Sequence, residues 1–185
     1  MARIAPISVA QAPPQARAEL EHQIAAHGRT TNMKCTLARS PAALAALMQW
    51  YALYDVVLPV LGQRMTTLFS HAISSETDCL ICSTFFRRWL SDQGENPDAL
   101  VLDERERDLV AYGRQLAQNA HGISDELFGR LRSWLSEEQM VALTAFGGMM
   151  IATNIFNNAI RVDLDDYLQP FRKSAAASGA GRTNA

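Results

Sequence analysis

The chain has 185 residues, 48% of them hydrophobic, and a formal net charge of −2, which suits one globular domain with a sizeable core. Its 17 Lys and Arg nearly balance 19 Asp and Glu, so no positive field gathers nucleic acid. Gly, Asn or charge interrupts the apolar stretches short of the roughly 18–20 residues a spanning helix needs, and no signal-peptide pattern opens the chain, so a cytoplasmic location without membrane association is expected.

Residues 1–11 are small and apolar without periodicity and read as an arm. Pro13-Pro14 then precede a helix-favouring run from Gln15 to Ala26, stopped by Gly28. Ser40-Pro41 supplies an N-cap and an N1 proline for a second helix, which runs through Tyr54 and is expected to end before Pro59. A third helix, Arg64 to about Ser74, leads into a cysteine-bearing helix, with Thr77 or Asp78 as its cap and Gly94 as its close. Asp92 to Pro97 is the clearest internal loop.

Asp103 to Asn119 places charge on one side and Leu109, Val110, Tyr112 and Leu116 on the other, an amphipathic helix that Gly122 stops. Ser124 caps a short helix to about Leu135, and the capping box Ser136 to Gln139 opens a long apolar helix from Glu137 to about Ile160. On it Asn154, Asn157 and Asn158 need hydrogen-bond partners, most simply on another helix, and Gly147-Gly148 allows close backbone approach. No segment alternates with period two between turn signals, so the fold class is all-α. Residues 1–172 are expected to form one domain and residues 173–185 a tail without core-forming side chains.

Cys79-Leu80-Ile81-Cys82 holds the chain's one Cys-x-x-Cys pair, at a helix start. Thiols at that spacing can form a disulfide, and the helix N-terminus stabilises a thiolate, favouring Cys79. Redox chemistry is the sharpest reading. Zinc wants four ligands, and Cys35, His22, His27, His71 and His121 show no paired spacing; no metal or cofactor is expected. The plainest alternative makes both cysteines small core residues. Glu76 and Asp78 would oppose a thiolate unless they serve as caps, whereas Arg87 and Arg88 would help only by pointing back. The nearest histidine, His71, lies eight residues before Cys79 and reaches the thiols only if the turn from Ser74 to Asp78 folds it back.

Asn32 to Pro41 leading into a helix, the Cys79-Leu80-Ile81-Cys82 motif, Gly94 and the late Thr153 to Asn157 segment together resemble the carboxymuconolactone decarboxylase and alkylhydroperoxidase D superfamily, in its branch of uncharacterised peroxidase-related proteins. The resemblance spans most of the chain. It implies an AhpD-like helical bundle that assembles into homo-oligomers, with Cys82 attacking peroxide and Cys79 resolving the product. It also implies a hydrogen peroxide or alkyl hydroperoxide substrate and regeneration by a dihydrolipoyl or other dithiol donor. Where the family's active peroxidases carry a relay of two His and a Glu, this chain has Phe86, Ile81 and Thr67. His71, one turn beyond Thr67, is the expected substitute. The alternatives are a lyase acting on a small lactone acid, for which no convergent acid-binding site is evident, and a non-catalytic oligomer that has lost the relay.

Overall fold

Local side-chain caps set most of the helix starts. Thr31, Ser40, Asp103, Ser124 and Ser136 each accept a backbone N–H from the residue three positions on, satisfying donors that a helix end leaves open. In the computed structural model, which describes residues 1–173, these caps open five of eight α-helices. The helices are α1 Pro14–His27, α2 Asn32–Leu37, α3 Pro41–Met48, α4 Trp50–Glu76, α5 Leu80–Asp92, α6 Glu104–Asn119, α7 Asp125–Arg132 and α8 Glu137–Ile160. Short 3₁₀ turns cover Val9–Gln11, Ala120–Gly122 and Asp166–Phe171. No strand occurs among the described residues, and apart from Lys173 the expected tail lies outside them.

Helix α4 is the axis of the bundle, packed against α5, α6 and α8. Phe69, fully buried on α4, shows how closely they meet. A Cβ at Gly113 of α6 would come within 3.0 Å of its ring, and one at Gly147 of α8 within 3.1 Å, so two glycines make room for one aromatic side chain. Burying such a side chain contributes about 1.5–3 kcal/mol, here shared by three helices. Gly148 meets nothing within 4 Å, so the close approach expected of the Gly147-Gly148 step belongs to its first residue.

Three expectations change. The helix expected to span Ser40 to Tyr54 divides at Gln49, and α4 then continues through Pro59 to Glu76, with a kink at Gly62 (φ 73°, ψ 166°). The proline costs an N–H and a clash with the preceding turn, but Gly62 absorbs the bend and Thr66 Oγ1 donates to the Gly62 carbonyl at 2.8 Å. Second, the cysteine helix is capped by Cys79 itself, because Asp78 takes the left-handed conformation (φ 53°) and serves as the hinge after α4. Third, the stretches Pro41–Glu76 and Glu137–Ile160 both carry 18-residue windows apolar enough, by length and composition, to cross a membrane. Glycine and amides do not break such a window. In α8 the polar members Thr153, Asn154 and Asn157 are buried.

Candidate functional site

The hinge at Asp78 delivers both thiols to one place. Cys79 N–H donates to the Ser74 carbonyl at 3.0 Å as the chain leaves α4, and α5 begins at the next residue. Cys79 is fully buried and Cys82 is 9% exposed; both are free thiols. Their protons are unequally held. The Cys82 thiol donates to the Cys79 sulfur, and this bond, with the backbone N–H groups of Cys82 and Ile81 and the Asn157 amide, outweighs burial and lowers Cys79 to about 7. The same bond, then burial, push Cys82 well above its usual range.

Asn157 reaches across from α8, with Nδ2 at 3.4 Å from Cys82 Sγ and 3.8 Å from Cys79 Sγ. The other two amides make the expected helix-to-helix bonds: Asn154 Nδ2 donates to Thr77 Oγ1 and Asn158 Nδ2 to the Thr77 carbonyl, both at 2.8 Å. Sequence reasoning singled out all three, but assigned Asn157 to packing.

His71 makes no hydrogen bond to either thiol among the described residues. Its hydrogen bond is to Ser75 Oγ at 3.4 Å, and burial, then Arg87 and Arg114, lower its pKa to about 4, leaving a neutral ring at physiological pH. Thr67, one turn earlier on α4, lines the cavity described below, whereas His71 does not. Four residues advance a helix by about 400°, so His71 is turned about 40° from Thr67 and lies about 6 Å farther along the axis. Arg87 and Arg88 do not turn back either: they bind Asp98 at 2.7 Å and Asp92 at 3.2 Å. Glu76 Oε1 accepts from Gln118 Nε2 at 2.6 Å.

Cys82 opens onto a cavity of about 520 Å³; Cys79 does not line it. Ile81, Phe86 and Thr67, at the three relay positions of the resembling peroxidases, line it beside Cys82. Aromatic side chains from α4, α5 and the loop after α8 supply much of the rest: Trp50, Tyr51, Tyr54, Phe85, Trp89 and Tyr167. Trp50 stacks on Tyr54 with centroids 4.9 Å apart, and its Nε1–H donates to Met150 Sδ at 2.8 Å.

Polar groups also meet here, and sequence reasoning missed them. Lys34 of α2 is 6% exposed; its Nζ donates to Gln23 Oε1 at 2.5 Å and to Tyr51 Oη at 2.8 Å. Gln23 Nε2 in turn donates to Glu19 Oε1 at 2.8 Å. Burial lowers Lys34 to about 8 despite the field of Glu19, and burial raises Tyr51 to about 12. Asp165 Oδ1 accepts from the Asn32 N–H at 2.8 Å, while its buried Oδ2 has no partner among the described residues. The one signal for Lys34 was a single charge inside the short apolar run Met33 to Leu37. The described residues hold no group of three or more His, Cys, Asp or Glu arranged for a metal ion.

No protein-family model matches the sequence, and no curated protein matches it. Solved structures do match the fold. An uncharacterized peroxidase-related protein from Ralstonia eutropha JMP134, described as an alkylhydroperoxidase AhpD core, has a TM-score of 0.73 at 19% identity, covering 90% of this chain and 94% of its own. The debrominase Bmp8 has a TM-score of 0.75 at 16% identity, covering 91% and 95%; a cysteine-to-alanine form of it has been crystallised with 2,3,4-tribromopyrrole. A peroxidase-related protein from Silicibacter sp. TM1040 has a TM-score of 0.72 at 18% identity, covering 88% and 91%. The chain has the all-α AhpD-like fold.

Proposed function

We propose that this chain, built on the AhpD-like fold, is a thiol-dependent oxidoreductase that reduces a hydroperoxide with the Cys79-Cys82 pair. The observation that carries the reading is the division of labour between two hydrogen-bonded sulfurs: Cys82 meets the cavity, and Cys79, capping α5, holds the negative charge. As Cys82 attacks the distal peroxide oxygen, its proton passes to the Cys79 thiolate and the O–O bond breaks. The leaving alkoxide takes a proton from water, the hydroxide so formed is neutralised by the proton that Cys79 had given to solvent, and Cys82 becomes a sulfenic acid. The Cys79 thiol then attacks the Cys82 sulfur, expelling water and closing the disulfide. Two thiols and one hydroperoxide thus give a disulfide, an alcohol and water. Cys79 fills the proton-accepting role for which His71 is badly placed, and it removes the conflict between the more acidic thiol and the accessible one.

A dihydrolipoyl or other dithiol donor would return the pair to the reduced state, and the active form would be a homo-oligomer. The test is peroxide consumption by the reduced protein with excess dihydrolipoamide. Turnover is expected to be multiple in the wild type and abolished in Cys82→Ser. Cys79→Ser should stop at one equivalent, with a sulfenic acid on Cys82 that dimedone traps, formed at least tenfold more slowly at pH 7. No turnover by the wild type would sink the reading.

The aromatic cavity and the structural likeness to a debrominase favour a second reading, reductive debromination of an aromatic ring by the same pair. Two thiols would supply two electrons, replacing a carbon–bromine bond by carbon–hydrogen and releasing bromide and a proton as the disulfide forms. Bromide release from 2,3,4-tribromopyrrole, lost in Cys82→Ser, would select this reading over the first.

A further inference from the structure

A hydroperoxide as small as hydrogen peroxide leaves most of a 520 Å³ cavity unused, a volume within the range that holds ordinary organic ligands. Two features of its wall say what the rest is for. The first is Lys34, a nearly buried ammonium on that wall in no ion pair among the described residues. Its nearest polar contacts are a neutral amide and a neutral phenol, and the carboxylate of Glu19 is kept one residue away by Gln23. A buried charge without a counter-ion costs several kcal/mol.

The second is the donor count. An ammonium has three N–H groups and two of those on Lys34 are spent; Tyr51 Oη accepts one of them at 2.8 Å and keeps its own O–H, with no acceptor among the described residues. One N–H and one O–H, on neighbouring atoms, are therefore free beside a full positive charge. Of the two cavity arginines, Arg88 binds Asp92, and Arg29 lies over the Tyr167 ring at 4.5 Å, in the field of Asp165. Asp165, whose buried carboxyl oxygen is unpartnered, disfavours a second negative group. Much of the remaining wall is aromatic, among aliphatic and methionine side chains, with faces and edges that suit a flat ring.

We propose that the cavity binds a planar aromatic acid, with its single carboxylate on Lys34 and Tyr51 and its ring among Trp50, Tyr54, Phe86 and Trp89, as the part of the substrate that presents the reacting group to Cys82. This deepens the thiol reading and rests on it for the reacting end, but binding of the acid itself needs no thiol chemistry.

Calorimetric titration of the reduced full chain with 2-naphthoate, and with the neutral 2-naphthamide, tests it. Naphthoate is expected to bind at least tenfold more tightly than naphthamide. Lys34→Met should remove that preference, an unchanged helical circular dichroism spectrum showing the variant to be folded, and Tyr51→Phe should weaken naphthoate several-fold. Cys82→Ser should bind naphthoate like the wild type. Equal affinity for the two probes, no binding of either, or an unchanged preference in Lys34→Met overturns the proposal. Peroxide turnover without naphthoate binding would sink this inference alone; naphthoate binding without turnover would sink the thiol reading alone.

Discussion

Lys34 illustrates how a single residue is held in an unfavourable state by the fold. Its ordinary pKa of 10.5 falls to about 8 in the fold, mainly through burial and against the pull of Glu19. A cation whose folded pKa is lowered destabilises the fold wherever it is charged. The cost is complete below pH 8 and fades as pH rises from about 8 towards 10.5. Lys34→Met should therefore raise stability at pH 7 by about 1 kcal/mol, and the gain should shrink when thermal melts are repeated near pH 10. A lower melting temperature at pH 7 would show that the bonds to Gln23 and Tyr51 outweigh the cost of burial. The same titration removes the charge offered to an anion, so naphthoate affinity should fall as pH rises through about 8.

At the scale of elements, what was legible was what is local. Ser40, Asp103, Ser124 and Ser136 sit three residues from the N–H they accept, so the starts of α3, α6, α7 and α8 could be read directly. The all-α class followed, and the thiol pair was visible because its members are neighbours in sequence. Elements whose shape depends on the tertiary structure were not legible. Pro59 reads as a stop, yet α4 passes it because Gly62 adopts backbone angles that only glycine tolerates. Asp78 reads as a cap and is a hinge. Gly62→Ala should cost about 1–3 kcal/mol, seen as a drop in melting temperature of about 2–12 °C; an unchanged melt would mean that the kink is not required. The corner proposed to hold an acid was beyond reach for the same reason, since Lys34 and Tyr51 come from α2 and α4 and meet only when the bundle closes.

At the scale of the whole molecule, the segment formed by α3 and α4 leaves apolar side chains uncovered. Only 17% of the apolar 18-residue window within Pro41–Glu76 is buried, and Val56 is 50% exposed. Surface of this kind is a site of association, in keeping with the homo-oligomer proposed above. Light scattering on the eluting peak should give a mass at least twice 20.4 kDa, and Val56→Lys should move it towards the single-chain value. A single-chain mass for the wild type would exclude the assembly.

The unequal exposure of the two cysteines, 0% and 9%, with only Cys82 on the cavity wall, makes the pair a room with one door. On the proposed thiol reading, whatever resets the disulfide would enter where the oxidant entered, so the incoming thiol would bond to Cys82 and the departing sulfur would be Cys79. A sulfur already inclined to carry negative charge leaves readily. Loading and unloading therefore share one route, and a molecule lodged in the aromatic chamber shuts out oxidant and reductant together.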